Sequence, residues 1–157
     1  MASIIPDQQL FIVTSALNPN MGIINREDRL NQTLDGLKSL REKCPNAHVI
    51  LAEGSPEKVE QEKIKALVGY VDMVADFSGD KDIAQFASIG RKSEAENVLM
   101  IKMMLLLKEE SGLAKLKESL NRIYKLSART IINDGFDIKD HNHFGKYVFK
   151  KRMPTWL

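Results

Sequence analysis

The sequence predicts an α/β domain, a three-layer α/β/α, Rossmann-like arrangement around a mostly parallel sheet. Two short runs, Leu10–Leu17 and His48–Ala52, carry apolar residues at consecutive positions. Strands buried on both faces of a parallel sheet have this pattern, whereas half-exposed strands alternate. Each run leads through turn-forming residues into a segment with apolar residues at helical spacing. Strands that alternate with helices through short connections are joined by right-handed crossovers.

The first strand, LFIVTSAL, breaks at Asn18-Pro19-Asn20-Met21-Gly22, a cluster of turn formers. Asn25 then suits a helix cap, with Asp28 at the positively polarised first turn. Leu30, Leu34, Leu37 and Leu40 give that helix its inward face, and Pro45-Asn46 ends it. The second strand, HVILA, leads into Glu53-Gly54-Ser55-Pro56, where Ser55 as cap and Pro56 at the first helical position predict a helix start. Val59, Ile64, Leu67 and Val68 are its expected inward stripe. A third strand is expected over Val71–Phe77, closed by Ser78-Gly79-Asp80, and Asp82–Gly90 reads as a short helix or an ordered loop. Ser93 and Glu96 fit a capping box ahead of Val98–Leu107. That run is apolar around most of its circumference, so a central helix is expected, with its methionines as core filler. Gly112 marks a break before a short helix over Leu113–Leu120.

The segment Arg122–Phe136, RIYKLSARTIINDGF, is the most informative. Ile123, Tyr124 and Leu126 have high strand propensity. Lys125, Ser127, Arg129, Asn133 and Asp134 follow closely, where an open α/β sheet presents the crevice at its carboxyl ends. This concentration of polar groups points to a nucleotide- or nucleotide-sugar-binding domain. Beyond it, Lys146–Lys151 alternates as an outer, edge strand would.

Composition narrows the function classes. The 157 residues suit one domain, with 43% apolar and 28% charged residues. Lys and Arg total 23 against 21 Asp and Glu, a net charge of +2 that offers no basic face for nucleic acid. Cys44 is the single cysteine, so no internal disulfide or multi-thiolate zinc site can form. The opening MASIIPDQQLFIV lacks the pattern of a signal peptide, and Val98–Leu107 is too short to span a bilayer. A cytoplasmic protein with no transmembrane segment is expected. There is no G-x-S-x-G elbow, G-x-G-x-x-G turn or Walker lysine loop. Asp134, Asp137, Asp140, His141 and His143 offer oxygen and nitrogen donors, but their spacing matches no defined metal motif and reads as a solvated loop.

Four pieces carry a likeness to a known family: FIVTSALNP, EDRLNQTLDGLKSLREKCP, HVILAEGSPEK, and KSEAENVLMIKMMLLL followed by RIYKLSART. In this order and spacing they resemble nucleotide-diphospho-sugar transferase-like proteins of bacteria and bacteriophage, which have a GT-A-type glycosyltransferase fold. The likeness runs from about Phe11 to Lys151. It implies that residues 1–157 are one GT-A-like domain, compact or truncated, since little chain follows the fourth strand. It further implies a nucleotide-diphosphate sugar as ligand and a glycan or lipid-linked acceptor as partner. Metal-dependent members end the fourth strand in an Asp-x-Asp-like cluster that holds Mn²⁺ or Mg²⁺. The matching segment here is Ser127-Ala128-Arg129, so a divalent cation is not supported. Arg129 would instead neutralise the diphosphate directly.

Under the same resemblance Thr14, Ser15 and Ala16 would face the nucleotide, and Arg29 would reach the same crevice from the first helix. Glu53 would accept hydrogen bonds from ribose hydroxyls, and Lys92 would meet a phosphate beside a helix start. Ser127 would border the site. Arg129, with Lys92, would stabilise the leaving diphosphate, and Asp134 would be the base for an acceptor hydroxyl. The simpler alternatives are a solvated Arg29 paired with Asp28 or Glu27, a polar strand end at Glu53, a loop charge at Lys92 and a surface Asn97. The rival to a transferase is a non-catalytic binding or assembly module that keeps the fold, with Tyr147, Phe149 and Trp156 as an interface. A homo-oligomer is open under either reading.

Overall fold

The computed structural model describes residues 8–20, 25–109 and 120–138. In chain order these form β1 (Gln8–Ser15), α1 (Arg26–Lys43), β2 (His48–Glu53), α2 (Gln61–Leu67), β3 (Met73–Asp76), α3 (Lys81–Ser88), α4 (Lys92–Glu109) and β4 (Leu120–Ser127). A 3₁₀ turn, Val68–Tyr70, extends α2. The expected strand at Lys146–Lys151, the helix start at Leu113, and the residues Tyr147, Phe149 and Trp156 lie outside the described residues. Leu120, expected in that helix, opens β4 instead.

The four strands form one parallel sheet in the order β3-β2-β1-β4. Side chains alternate across it, and both faces are covered. Phe11, Val13, Val49 and Leu51 pack with Leu37 and Leu40 of α1 and Leu67 of α2. On the other face Leu10, Ile12, Ile50 and Ala52 pack with Ile83 of α3 and with Ala95, Leu99 and Met103 of α4. This is an α/β fold, with the helices on both sides that the consecutive apolar runs predict. From β1 to β3 the chain steps in one direction across the sheet, and then it returns past β1 to β4. A reversal with unchanged handedness moves the connecting helices to the opposite face, where α3 and α4 lie.

Local signals decide some helix ends and fail at others. The Asn25 side chain accepts from the Asp28 N–H at 2.8 Å, the expected cap. Ser55-Pro56 does not start a helix; α2 begins six residues after Ser55, with Glu60 at the cap position and no side-chain cap bond. The Ser55 hydroxyl is already committed, donating to Glu53 and accepting from the Asn18 N–H at 2.8 Å. Nor do Ser93 and Glu96 form a capping box. The Ala95 N–H reaches the Arg91 carbonyl at 3.1 Å, which puts Arg91 at the cap and Ser93 inside α4. Residues 81–88 are helical, with the Asp80 carboxylate capping Asp82 and Ile83.

The two apolar helices also differ from expectation. Val68 is 59% exposed and leaves the inward face of α2, whereas Val59, before the helix, is buried. In α4 the buried stripe is Ala95, Leu99, Met103 and Leu107, spaced by four. Ile101, Met104 and Leu105 are exposed, so α4 covers the sheet with one side and is not central.

After β4 the chain turns back along α1. Ala128 and Ile132 are buried in the α1-side core. The Ile132 N–H donates to Ser39 Oγ at 2.9 Å. Gly36 permits this approach, because a Cβ there would stand 2.2 Å from the Ala128 carbonyl oxygen. Backbone cannot yield as a side-chain tip can, so Gly36→Ala is expected to cost about 1–3 kcal/mol through overpacking. A lower midpoint of urea denaturation with an unchanged slope checks this; an unchanged midpoint refutes the close packing of residues 128–132 on α1.

Candidate functional site

β1 lies between β2, its successor in sequence, and β4, reached only after the chain has reversed across the sheet. In open α/β sheets a crevice is found outside the carboxyl ends of the strands at such a reversal of strand order. A cleft of about 520 Å³ opens there. Thr14, Ser15 and Ala16 from the end of β1 and Ser127, Ala128 and Arg129 from the end of β4 line it side by side. The ladder continues to this edge, with the Ala128 N–H donating to the Thr14 carbonyl at 2.9 Å. Arg29 enters from the start of α1, and Lys92 and Glu96 from the start of α4. Thus Thr14, Ser15, Ala16, Arg29, Lys92, Ser127 and Arg129, all singled out from the sequence, line one cleft.

The cleft is cationic. Arg29 has no ion pair among the described residues, and its Nε is buried without a hydrogen-bond partner. Burial, and then the neighbouring Arg129 guanidinium, pull Arg29 below its ordinary value. It remains charged at neutral pH, so two like charges are held close together with hydrogen-bonding capacity to spare. An anion between them would relieve both the repulsion and the orphaned donor.

Glu96 is the one carboxylate lining this cleft among the described residues. Its Oε1 accepts from the Thr14 hydroxyl at 2.9 Å and pairs with the Lys125 ammonium. Burial raises its pKa, but the bonds from Lys125 and Thr14 outweigh that and hold it below the ordinary glutamate value. Sequence reasoning gave Glu96 only a capping role. Its signal was its position three residues before Leu99, on the flank of a buried stripe, where a carboxylate needs partners. The chemistry of the lining, with two guanidiniums, an ammonium and one carboxylate already paired to lysine, suits an anion and does not fit a divalent cation. Among the described residues no three His, Cys, Asp or Glu side chains converge. Asp140, His141 and His143 lie outside them.

Two expected site residues lie elsewhere. Glu53 ends β2 but is 0% exposed and does not line the cleft. Its carboxylate accepts from the hydroxyls of Ser15 and Ser55, from the Ser55 N–H at 2.7 Å and from the Leu17 N–H at 3.3 Å. It ties the turns after β1 and β2 together beneath the cleft and has no face left for a ribose. Asp134 is withdrawn altogether. It pairs with Lys43 at the far end of α1, because the chain after β4 runs down that helix. Asn97 is exposed and outside the lining.

No family model matches the chain, and neither a curated protein nor a solved structure gives a significant match. No described helix is long and apolar enough to cross a membrane.

Burial raises the Glu53 pKa, although its hydroxyl and N–H donors oppose the shift. A carboxyl group with a raised folded-state pKa stabilises the fold below its unfolded value and loses that contribution as pH rises through the folded value. Glu53→Gln is therefore expected to gain stability relative to wild type as pH climbs above the ordinary glutamate range. Paired urea titrations across that range check the sign, and a pH-independent difference between the two proteins would refute it.

Proposed function

We propose that this domain binds a nucleoside-diphosphate sugar in the cleft at the carboxyl ends of β1 and β4. The single observation that carries this reading is the approach of Arg29 and Arg129, without ion pairs among the described residues, at the carboxyl ends of a parallel sheet. The diphosphate would bridge the two guanidiniums, which suit it through bidentate, charge-assisted bonds. Lys92 would add charge from the start of α4, while Thr14, Ser15, Ala16 and Ser127 would border the nucleoside. The volume of about 520 Å³ and apolar lining residues such as Leu99 support a ligand larger than a bare anion.

In the catalytic form of this reading the sugar passes to a hydroxyl of a glycan or lipid-linked acceptor. Arg29 and Arg129 stabilise the charge that develops on the departing diphosphate. A second reading, a binding module of GT-A-like ancestry without transfer, is favoured by one observation. Asp134, the base expected from the sequence, stands beside Lys43 and away from the cleft.

Calorimetric titration with UDP, GDP, CDP and their sugars tests the proposal. A bond between a guanidinium and a phosphate contributes about 1.5–3 kcal/mol, so Arg129→Ala and Arg29→Ala should each weaken binding tenfold or more. Binding by none of these ligands in a folded sample overturns it. Release of nucleoside diphosphate from a bound sugar nucleotide, faster with an acceptor present, selects the transferase; saturable binding without release selects the module.

A further inference from the structure

Among the described residues the cleft sets one carboxylate, Glu96, beside its cations. Both hydrogen-bond partners of Glu96 among the described residues converge on one oxygen, and the Arg129 charge acts on the carboxylate without a bond to it. Thr14 Oγ1 donates to Oε1 at 2.9 Å, and Lys125 Nζ pairs with the same atom. Oε2 makes no hydrogen bond among the described residues, although Glu96 lines the cleft and its side chain is 42% exposed. A carboxylate has about four acceptor positions, two on each oxygen. Here the protein uses those of Oε1 and leaves those of Oε2 open. Lys125 and Thr14 belong to adjacent strands and hold the group from beneath, so its orientation is fixed before any ligand arrives.

A carboxylate beside a phosphate site repels the anion and weakens binding unless it makes a contact of its own. What it can recognise is a donor: ammonium, amide or hydroxyl. Arg29, Arg129 and Lys92 line the same cleft, so a further ligand ammonium would be repelled. A neutral hydroxyl carries no such penalty, and vicinal hydroxyls offer two donors to the two lone pairs of one carboxylate oxygen.

We infer that Glu96 is the hydroxyl-reading residue of the cleft, making it selective for a ligand that carries free sugar hydroxyls next to its phosphate. This rests on the anion-binding reading above and specifies its ligand class. The hydroxyls are those of the ribose or those of the transferred sugar. Glu96 thereby takes the role that its place at a strand end suggested for Glu53.

The test compares ligand pairs that differ by one hydroxyl. Wild type, Glu96→Ala and Glu96→Gln are titrated with inorganic pyrophosphate, with UDP, GDP and CDP against their 2′-deoxy forms, and with UDP-glucose against UDP-2-deoxyglucose. Circular dichroism establishes that each variant is folded. Wild type is expected to prefer the hydroxylated member of at least one pair by about tenfold, the worth of a hydrogen bond to a charged acceptor. The pair that responds identifies the ribose or the sugar as the source. Glu96→Ala should bring that ratio close to one, Glu96→Gln should leave it intermediate, and pyrophosphate should bind both variants at least as tightly as wild type. Wild-type binding of pyrophosphate with equal affinity for both members of every pair overturns the inference and leaves the anion cleft standing. So does parallel loss of pyrophosphate binding in Glu96→Ala, which would mean that Glu96 acts through the fold. Failure of wild type to bind pyrophosphate or any nucleotide removes the anion cleft, and the inference with it.

Discussion

Burial of β1 on every side is the constraint from which the rest of the architecture follows. Leu10, Phe11, Ile12 and Val13 are at most 3% exposed, with Leu10 and Ile12 facing one way and Phe11 and Val13 the other. A strand of this kind requires hydrogen-bonded neighbours on both edges and packed helices on both faces. β2 and β4 supply the edges, α1 and α4 the faces. Since β2 follows β1 directly and β4 is the last described strand, the chain reverses across the sheet to reach it, and the crevice lies at that reversal. The cleft is therefore a consequence of how the core is filled.

Beneath that crevice, Glu53 joins the two turns that form its rim. Burying a carboxylate is costly unless hydrogen bonds replace the water it loses. Four donors from Ser15, Leu17 and Ser55 surround it, and Ser55 in turn receives the Asn18 N–H. An acidic strand end that looks like ligand chemistry is thus consumed by structure. The demand for donors also explains why Ser55 is unavailable to cap α2.

Charge at the cleft is arranged in the opposite sense. Glu96 is paired with Lys125 and also lies within electrostatic reach of Arg129, while Arg29 and Arg129 are in no ion pair among the described residues. Elsewhere the described cations are commonly paired: Arg26 with Glu57, Arg41 with Asp72, Lys58 with Asp76 and Lys102 with Asp80. Those pairs are largely at the surface and contribute little to stability. Their value here is contrast, because Arg29 and Arg129 lie together in one cleft with no ion pair among the described residues.

By itself the sequence determined the α/β class, the central strands, the Asn25 cap and the strand of Arg122–Ser127, since apolar runs, capping residues and strand propensity act over a few neighbouring positions. It also placed Thr14, Ser15, Ala16, Arg29, Lys92, Ser127 and Arg129 near one crevice, because parallel sheets put strand ends and helix starts together. Only the tertiary structure decided the separate fates of Glu53, Glu96 and Asp134. Glu53 turned inward because two turns distant in sequence converge on it. Glu96 became a cleft residue because α4 crosses behind β1 and β4, bringing it to Thr14 and Lys125. Asp134 left the cleft because Gly36 lets the chain after β4 lie along α1. Each outcome depends on contacts between residues distant in sequence, 36 and 38 positions apart for Glu53, 29 and 82 for Glu96 and 91 for Asp134, and local sequence carries no record of which distant group a polar side chain will meet.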